Sequence, residues 1–315
     1  MRIGVIGSGN IAGRFISEAA FVPEVQITAI YNPHLESAIS LAEEKHIGTA
    51  TDDWDLFIEG IDAGYIAVPH LMHQFYVKEL LKAGKRVLCE KPMSLSRAEL
   101  QESFELAESK GLLLMEALKT LYSPGFKRLL SDVKKVGQIY EVDAAFTKLM
   151  PHQGRVFDKA MAGGSFTELG SYPLIPVMKI LGCDYQDIRF FPFIDQETGV
   201  DIYTKALIFY RDQIADIRAG VGAKTEGNLV VTGSRGYILA QSPWWLTSRY
   251  DICYEDRSQN EHVEVPFEGD GLRYEIRVFA EMVRNGQTAS EQMKRESLFL
   301  ADVMEHFLKR EAEID

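Results

Sequence analysis

Cysteine is scarce. Cys89, Cys183 and Cys253 are the only three in 315 residues, an odd number at wide spacing, with no Cys-x-x-Cys and no Cys/His pairing of zinc type. Neither a disulfide framework nor a metal site is expected, and all three are read as thiols. Long apolar runs are also missing. Stretches such as Leu112 to Met115, followed by Ala117 and Leu118, are far short of the roughly 18 residues a membrane helix needs, so no span is expected. Met1 leads directly into what reads as a core strand, without the basic start and apolar run of a signal peptide, which sets the expectation of a cytoplasmic protein. Positive charge is in deficit, with 34 Lys plus Arg against 46 Asp plus Glu and a net charge of −12. Such a surface repels a phosphate backbone and an anionic bilayer, so neither nucleic acid nor membrane is expected as a partner. No repeat, low-complexity tract or Pro/Ser-rich linker interrupts the chain.

What is present is a globular composition, 46% apolar and 25% charged, at a length that suggests two domains. Residues 1–119 alternate short apolar runs with helical patterns, the mark of βαβ units and a doubly wound parallel sheet. Strands are expected at Arg2 to Ile6, Gln26 to Tyr31, Ala63 to Val68, Arg86 to Cys89 and Leu112 to Glu116, with helices at Ile11 to Ala20, Leu35 to Lys45, His73 to Ala83 and Ser96 to Ser109. The helix after His73 shows apolar positions at Phe75, Leu80 and Leu81 and ends at Gly84 in a left-handed cap. Residues 120–315 change to alternation with a period of two, as in Gln138 to Phe146, Asp201 to Tyr210 and Gln213 to Ala219. This pattern predicts an α+β domain with a large, mainly antiparallel sheet and hairpins at Tyr210 to Gln213 and Gly233 to Gly236. Helices at Arg273 to Arg284 and Ser297 to Lys309 close the chain. With no linker, the cleft between the two domains is the expected active site.

The strongest local signal is Gly7-Ser8-Gly9-Asn10-Ile11-Ala12, which follows the first strand and opens a helix. Gly7 permits the tight turn, Gly9 lets the backbone approach a pyrophosphate, and Ala12 allows close helix-to-strand packing, while the helix N-terminus attracts the phosphate charge. Together these features predict a Rossmann dinucleotide-binding domain in which Gly7, Gly9, Asn10, Ile11 and Ala12 hold the cofactor. At the end of the second strand, where an acidic residue would bind the ribose hydroxyls of NAD, stand Tyr31-Asn32-Pro33-His34. The uncharged Asn32 does not repel a 2′-phosphate, and His34 and Arg14 are candidate partners for one, so the expected cofactor is NAD(P) with a lean to NADP. Further on, Glu90-Lys91-Pro92 ends a buried strand at the edge where such folds bind ligands, with Pro92 fixing the backbone and a cis bond among the options.

At this point the chain resembles the Gfo/Idh/MocA family of nicotinamide-dependent oxidoreductases over essentially its whole length. The resemblance rests on the glycine turn, on Pro69-His70-Leu71-Met72-His73, on Glu90-Lys91-Pro92 and on Gly163-Gly164-Ser165-Phe166-Thr167-Glu168-Leu169-Gly170-Ser171-Tyr172-Pro173. Met115-Glu116-Ala117 and Tyr172 are most similar to the dihydrodiol dehydrogenase and glucose-fructose oxidoreductase branch. The resemblance implies catalytic roles for Lys91 and Tyr172, a neighbouring role for Glu168 where the family has Asp, and at least a dimer. A phenol ordinarily has a pKa of about 10, and a nearby ammonium makes it a usable proton donor or acceptor near neutrality. Glu168 stands four residues before Tyr172, about one helical turn away. Glu90 and Lys91, with Pro69, His70 and His73, are read as lining the nicotinamide pocket, with a backbone-satisfied His73 as the alternative.

The expected reaction is hydride transfer between the nicotinamide and a hydroxyl carbon of a small polar substrate: a sugar, polyol or cyclic diol. Two other classes stay open, a non-catalytic nucleotide-binding regulator and an NAD-dependent glycoside hydrolase. His152 and Arg155 are candidates for reaching the substrate or for plain loop side chains. Trp244 and Trp245, with Tyr122 and Phe126, are candidates for a ring-binding wall or for core. Apolar side chains on the outer sheet face, as along Tyr203 to Tyr210, call for a homodimer or higher homo-oligomer.

Overall fold

The computed structural model describes residues 1–314, with side chains through residue 310. The chain divides into two compact units: Met1–Lys119 with Gly269–Asp302, and Thr120–Glu268 with the chain from Val303 onward.

In the first unit the elements run β1 (Arg2–Ile6), α1 (Asn10–Ala19), β2 (Gln26–Tyr31), α2 (Leu35–Lys45), β3 (Thr49–Thr51), α3 (Trp54–Glu59), β4 (Ala63–Ile66), α4 (His73–Lys82), β5 (Arg86–Glu90), α5 (Arg97–Ser109) and β6 (Leu114–Ala117). Six strands form one sheet in the order β3-β2-β1-β4-β5-β6, and every pairing is parallel. All carboxyl ends therefore lie along one edge, and the strand order reverses at the β1/β4 pair, where such sheets bind ligands. Both faces are covered, which is why β4 reads as a continuous apolar run and both β4 and β6 are buried throughout. Helix α1 buries Ala12, Phe15, Ile16 and Ala19, one stripe at helical spacing.

The structure corrects three expectations here. Helix α4 ends with Gly84 at φ +74°, as expected, but Phe75 is 54% exposed. Its stripe is Tyr76, Val77, Leu80 and Leu81, because Phe75 falls on the opposite side of the 3.6-residue period. The edge strand β3 and the short α3 were not foreseen. Six residues are too few to show a period, although Asp53 marks the start of α3 by accepting the Asp55 and Leu56 N–H groups. Finally, residues 269–302 pack with the first unit rather than with the residues before them.

The second unit begins near α6 (Lys119–Tyr122) and contains α7 (Pro124–Asp132), β7 (Ile139–Thr147), α8 (Ser165–Leu169), α9 (Ser171–Ile180), β8 (Asp187–Ile194), β9 (Asp201–Phe209), β10 (Ile214–Gly220), β11 (Leu229–Gly233), β12 (Gly236–Ala240), β13 (Arg249–Tyr254) and β14 (Glu261–Glu264). Its eight strands run in the order β14-β13-β12-β11-β7-β10-β9-β8. Both expected hairpins form, β9–β10 and β11–β12. The one parallel pairing, β7 with β10, arises because β7 sits between two later hairpins. Val142, Ala144, Ala206, Ile208, Ala215 and Ile217 share the buried face under α8 and α9. On the other face Phe191, Phe193 and Tyr237 are exposed.

Two long helices follow, α10 (Leu272–Arg284) and α11 (Glu291–Ile314). Helix α10 packs on α1. Arg273 donates to Glu18 at 2.6 and 3.0 Å and lies over the Phe21 ring at 4.1 Å. Both charged side chains are about a tenth exposed or less. Burial pushes the Glu18 carboxyl up, but the hydrogen bonds and charge of Arg273 outweigh it and hold the group below its ordinary value. A depressed carboxyl stabilises the fold above its unfolded-state pKa of about 4.3, and that contribution is lost as pH falls through the folded value. Arg273→Met should therefore cost about 3–5 kcal/mol in urea unfolding at neutral pH, because Glu18 is left buried without its cation. The difference from wild type should shrink in acid as Glu18 takes up a proton. A loss under about 1 kcal/mol, the range of an exposed pair, would contradict this assignment.

Candidate functional site

The first unit brings the expected nucleotide residues to one edge of the sheet. Gly7 takes φ +102°, and a Cβ there would strike the Ala67 carbonyl oxygen at 2.3 Å, so only glycine fits. Its N–H donates to the Tyr31 carbonyl at 2.9 Å. Gly9 is the N-cap of α1, and a Cβ there would meet nothing within 4 Å. The turn is thus closed toward the sheet and open outward. Asn10 is exposed, Ile11 half-buried and Ala12 fully buried against the sheet. Unsatisfied N–H groups of the first helical turn and the open Gly9 surface fit a dinucleotide pyrophosphate.

At the end of β2, Asn32 donates to the Ser8 hydroxyl at 2.7 Å and accepts the His34 N–H at 2.9 Å. Its amide therefore joins the glycine turn to the start of α2, while the His34 side chain is exposed. Arg14 pairs with Asp270 at 2.7 Å. Beside Asn32 an open groove of about 390 Å³ is lined in part by Ser8, Glu36 and Glu44. Sequence reasoning passed over these two carboxylates, although Glu36 stands only four residues after Asn32.

Lys91 leaves the end of β5 half-buried, with its bond to Pro92 in the cis form. Side chains hold the backbone around it. Glu90 accepts the Lys91 N–H at 3.3 Å, Glu116 accepts the Met93 N–H at 2.8 Å, and Gln74 donates to the Met93 carbonyl at 2.9 Å. Gln74 is oriented in turn by Ser103 at 2.6 Å. The His73 ring nitrogens lie 2.8 Å from the Pro92 oxygen and 2.9 Å from the Val68 oxygen, and the side chain has no exposed surface. His73 is thus the backbone-satisfied alternative, a clamp between the ends of β4 and β5. His70 is buried beside it with ring centroids 5.6 Å apart, and Pro69 remains half-buried at the edge. Burial pushes Glu116 up to about 7, against the hydrogen bonds from Ser297 and Met93. Glu90 accepts the Tyr65 hydroxyl at 2.6 Å, and burial pushes it up against the pull of Lys91.

The second unit builds the Glu168–Tyr172 segment by itself. Gly163 and Gly164 donate to the carbonyls of Asp158 and Val156 at 2.9 and 2.8 Å. Carbonyl oxygens about 2.6 Å from any Cβ exclude a larger residue at Gly163. Asp201, at the start of β9, then accepts the Phe166 N–H at 3.0 Å, the Thr204 hydroxyl at 2.6 Å and the Ser165 hydroxyl, fixing the start of α8. Glu168 lies in a two-pronged pair with Arg155 at 2.8 and 3.1 Å. Gly170 keeps helical dihedrals between α8 and α9, so the expected one-turn spacing of Glu168 and Tyr172 stands. Tyr172 is half-buried and packs edge-on against Phe146 at 4.4 Å, and Phe146 lies 4.0 Å from Trp245. Three rings thus stand in a row; of the other aromatics, Trp244 and Phe126 are core, and Tyr122 lies under Lys127. His152 is held by Asp195 at 2.9 Å, and that hydrogen bond pushes the imidazole up.

The geometry agrees with known proteins. Residues 1–118 match the family described as "Oxidoreductase family, NAD-binding Rossmann fold". The chain is 26% identical to the scyllo-inositol 2-dehydrogenase (NADP(+)) of Bacillus subtilis (strain 168) over 321 residues, 98% of this chain and 97% of the relative. It is 28% identical to the trans-1,2-dihydrobenzene-1,2-diol dehydrogenase of Bos taurus over 328 residues, 98% and 96% of the two chains. Among solved structures, a 3-ketoreductase from Actinomadura kijaniata, with NADP and TDP-benzene, superposes with a TM-score of 0.86 at 25% identity, covering 96% and 95% of the two chains. Glycine turn, strand order and full-length similarity point one way: the chain matches the Gfo/Idh/MocA oxidoreductase family, by its family model over residues 1–118 and by similarity to the two dehydrogenases along its length.

Proposed function

We propose that this protein is an NAD(P)-dependent dehydrogenase acting on a CH–OH carbon of a sugar, polyol or cyclic diol, with Lys91, Tyr172 and Glu168 as its site residues. The observation that carries the reading is the nucleotide turn at Gly7 to Ala12 on the same sheet edge as a Lys91 whose backbone is fixed from four sides. Relatives named for an inositol and a dihydrodiol support the substrate class. A count of three widely spaced cysteines fits a cytoplasmic protein.

When bound, the nicotinamide supplies the hydride acceptor or donor. The chain has to move the hydroxyl proton of the same carbon. Lys91 is the first group for that task, as a cation that stabilises the developing alkoxide. Tyr172 is the second, with a hydroxyl on a ring held by Phe146 and Trp245. Glu168 is tied to Arg155, so its part is to position that segment rather than to exchange protons. The lean to NADP rests on Asn32 alone, since Glu36 and Glu44 set negative charge in the adjoining groove.

The exposed sheet face, with Phe193 62% exposed and Phe191 and Tyr237 beyond 40%, supports a homodimer that covers it. Light scattering should give at least twice the monomer mass. The monomer mass at micromolar concentration would contradict the assembly.

Cofactor binding is read by titration. Gly9→Leu should fold normally yet lose both nucleotides, because its side chain fills the surface the pyrophosphate approaches. Asn32→Asp should weaken NADP about tenfold relative to NAD, a like-charge effect of about 1.4 kcal/mol. Unchanged affinities in both variants would place the nucleotide elsewhere.

For the chemistry, Lys91→Ala should lower turnover on the order of 10²- to 10⁴-fold. Tyr172→Phe should lower turnover while largely sparing nucleotide affinity. Wild-type turnover in Tyr172→Phe, with a deuteride isotope effect showing that chemistry limits the rate, would remove Tyr172 from the reaction.

A further inference from the structure

The outer face of the eight-stranded sheet carries an ordered set of charges that neither the nucleotide turn nor the Lys91 loop uses. Inward positions on its central strands are Ala144, Ala206, Ala215 and Ile217, all buried, so the alternating positions point outward. There Asp143 on β7 and Asp216 on β10 are register partners. Two residues along, Arg218 on β10 and Lys205 on β9 are register partners as well. An acidic row thus lies beside a basic row, at adjacent levels of the same strands. Like charges side by side across strands are destabilising. The chain offsets that cost with diagonal pairs, Lys205 with Asp216 at 2.6 Å and Arg218 with Asp143.

These internal pairs do not complete the array. Among the described residues Asp216 Oδ1 and Arg218 Nε are covered and have no hydrogen-bond partner, so a single copy leaves both groups short of what they can bond. Glu141, one level before Asp143, adds a third carboxylate; burial and the charges of Asp143 and Asp216 push it up. Apolar side chains flank the charges. Phe191 is the register partner of Lys205, Phe193 lies one level further, and Tyr237 stands on β12 to the other side; all three are exposed. Charges at the centre of an apolar face contribute less to affinity than to the choice of register.

A second copy of this chain that covers the face must set its own two rows against these. For two identical sheets packed face to face, the two-fold axis lies in the plane between them. An axis along the strands keeps every residue at its own level and lays acidic row on acidic row, a like-charge contact that disfavours the register. An axis across the strands, between the Asp216 and Arg218 levels, exchanges the rows and keeps the strands aligned, as sheet packing prefers. We propose that the second copy docks in this way, so that Asp216 of each copy faces Arg218 of the other and the two rows fix the register of the assembly. The inference rests on the homodimer reading of this face. Lys205 and Asp143 stand beside the two crossing pairs and keep each copy's own charges balanced.

Mixing two charge reversals tests the crossing pairs. Asp216→Arg and Arg218→Asp each set like charges opposite one another, so either variant alone should scatter light as a monomer at micromolar concentration. An equimolar mixture should return to the dimer mass, with native mass spectrometry showing one copy of each variant, because the arginines at 216 and 218 of one then meet the aspartates of the other. Dimers of either variant alone, or a mixture that stays monomeric, would overturn the register while the wild-type dimer stands. A monomeric wild type would overturn the homodimer and the register with it. Should a reversal unfold the chain by circular dichroism, Asp216→Asn, Arg218→Gln and their double variant provide the second test. Each single change should weaken dimerisation about tenfold, and the double should lose little more than either. Losses that add would overturn the pairing between copies.

Discussion

The Lys91 loop must leave a buried strand without leaving backbone polar groups unpaired, and most of the first unit's polar interior follows from that constraint. Glu90 takes the Lys91 N–H, His73 meets the Pro92 carbonyl, Glu116 takes the Met93 N–H and Gln74 supplies the Met93 carbonyl. Each bond nets only about 1 kcal/mol, but a buried group left unmade costs about 1–3 kcal/mol, so the loop has one well-paired conformation and alternatives that forfeit several bonds. A side chain carried by such a loop is held in advance of any ligand, the condition that the role proposed for Lys91 requires.

The same constraint gathers acids under the sheet edge and then requires cations to balance them. Asp270, Glu18, Arg14 and Arg273 tie the segment from residue 269 onto α1. The second unit follows the same logic with one buried acid: Asp201 gathers the Ser165, Phe166 and Thr204 donors and so fixes the turn from which Glu168 and Tyr172 project. In both units a buried carboxylate orders the backbone that carries a candidate site residue.

What could be read from the sequence was local. The glycine turn, the parallel βαβ pattern and the two hairpins depend on residues close together in the chain, and the structure has them where the pattern puts them. The fixing of Lys91 was not legible, because His73, Gln74 and Glu116 act across about 20 residues through their packing, which no period or spacing encodes. Phe75 shows the converse: an apolar residue counted into a helix stripe lies on its solvent side, since composition does not say which arc of the helix faces the sheet. The return of residues 269–302 to the first unit escaped for a similar reason. Helix α10 is amphipathic in either setting, and only the Glu18–Arg273 pair, 255 residues apart in sequence, reveals its partner.

The central claim is that the chain transfers hydride between a nicotinamide and a hydroxyl carbon. Its most direct test is the absorbance of reduced nicotinamide as purified protein is mixed with each oxidised cofactor and a panel of polyols, aldoses and cyclic diols, with free-sugar release from glycosides followed in parallel. The account predicts net reduced cofactor with at least one free polyol, aldose or diol. Nucleotide binding with no reduced cofactor from any of them, or sugar release with no net change in the cofactor, would contradict it.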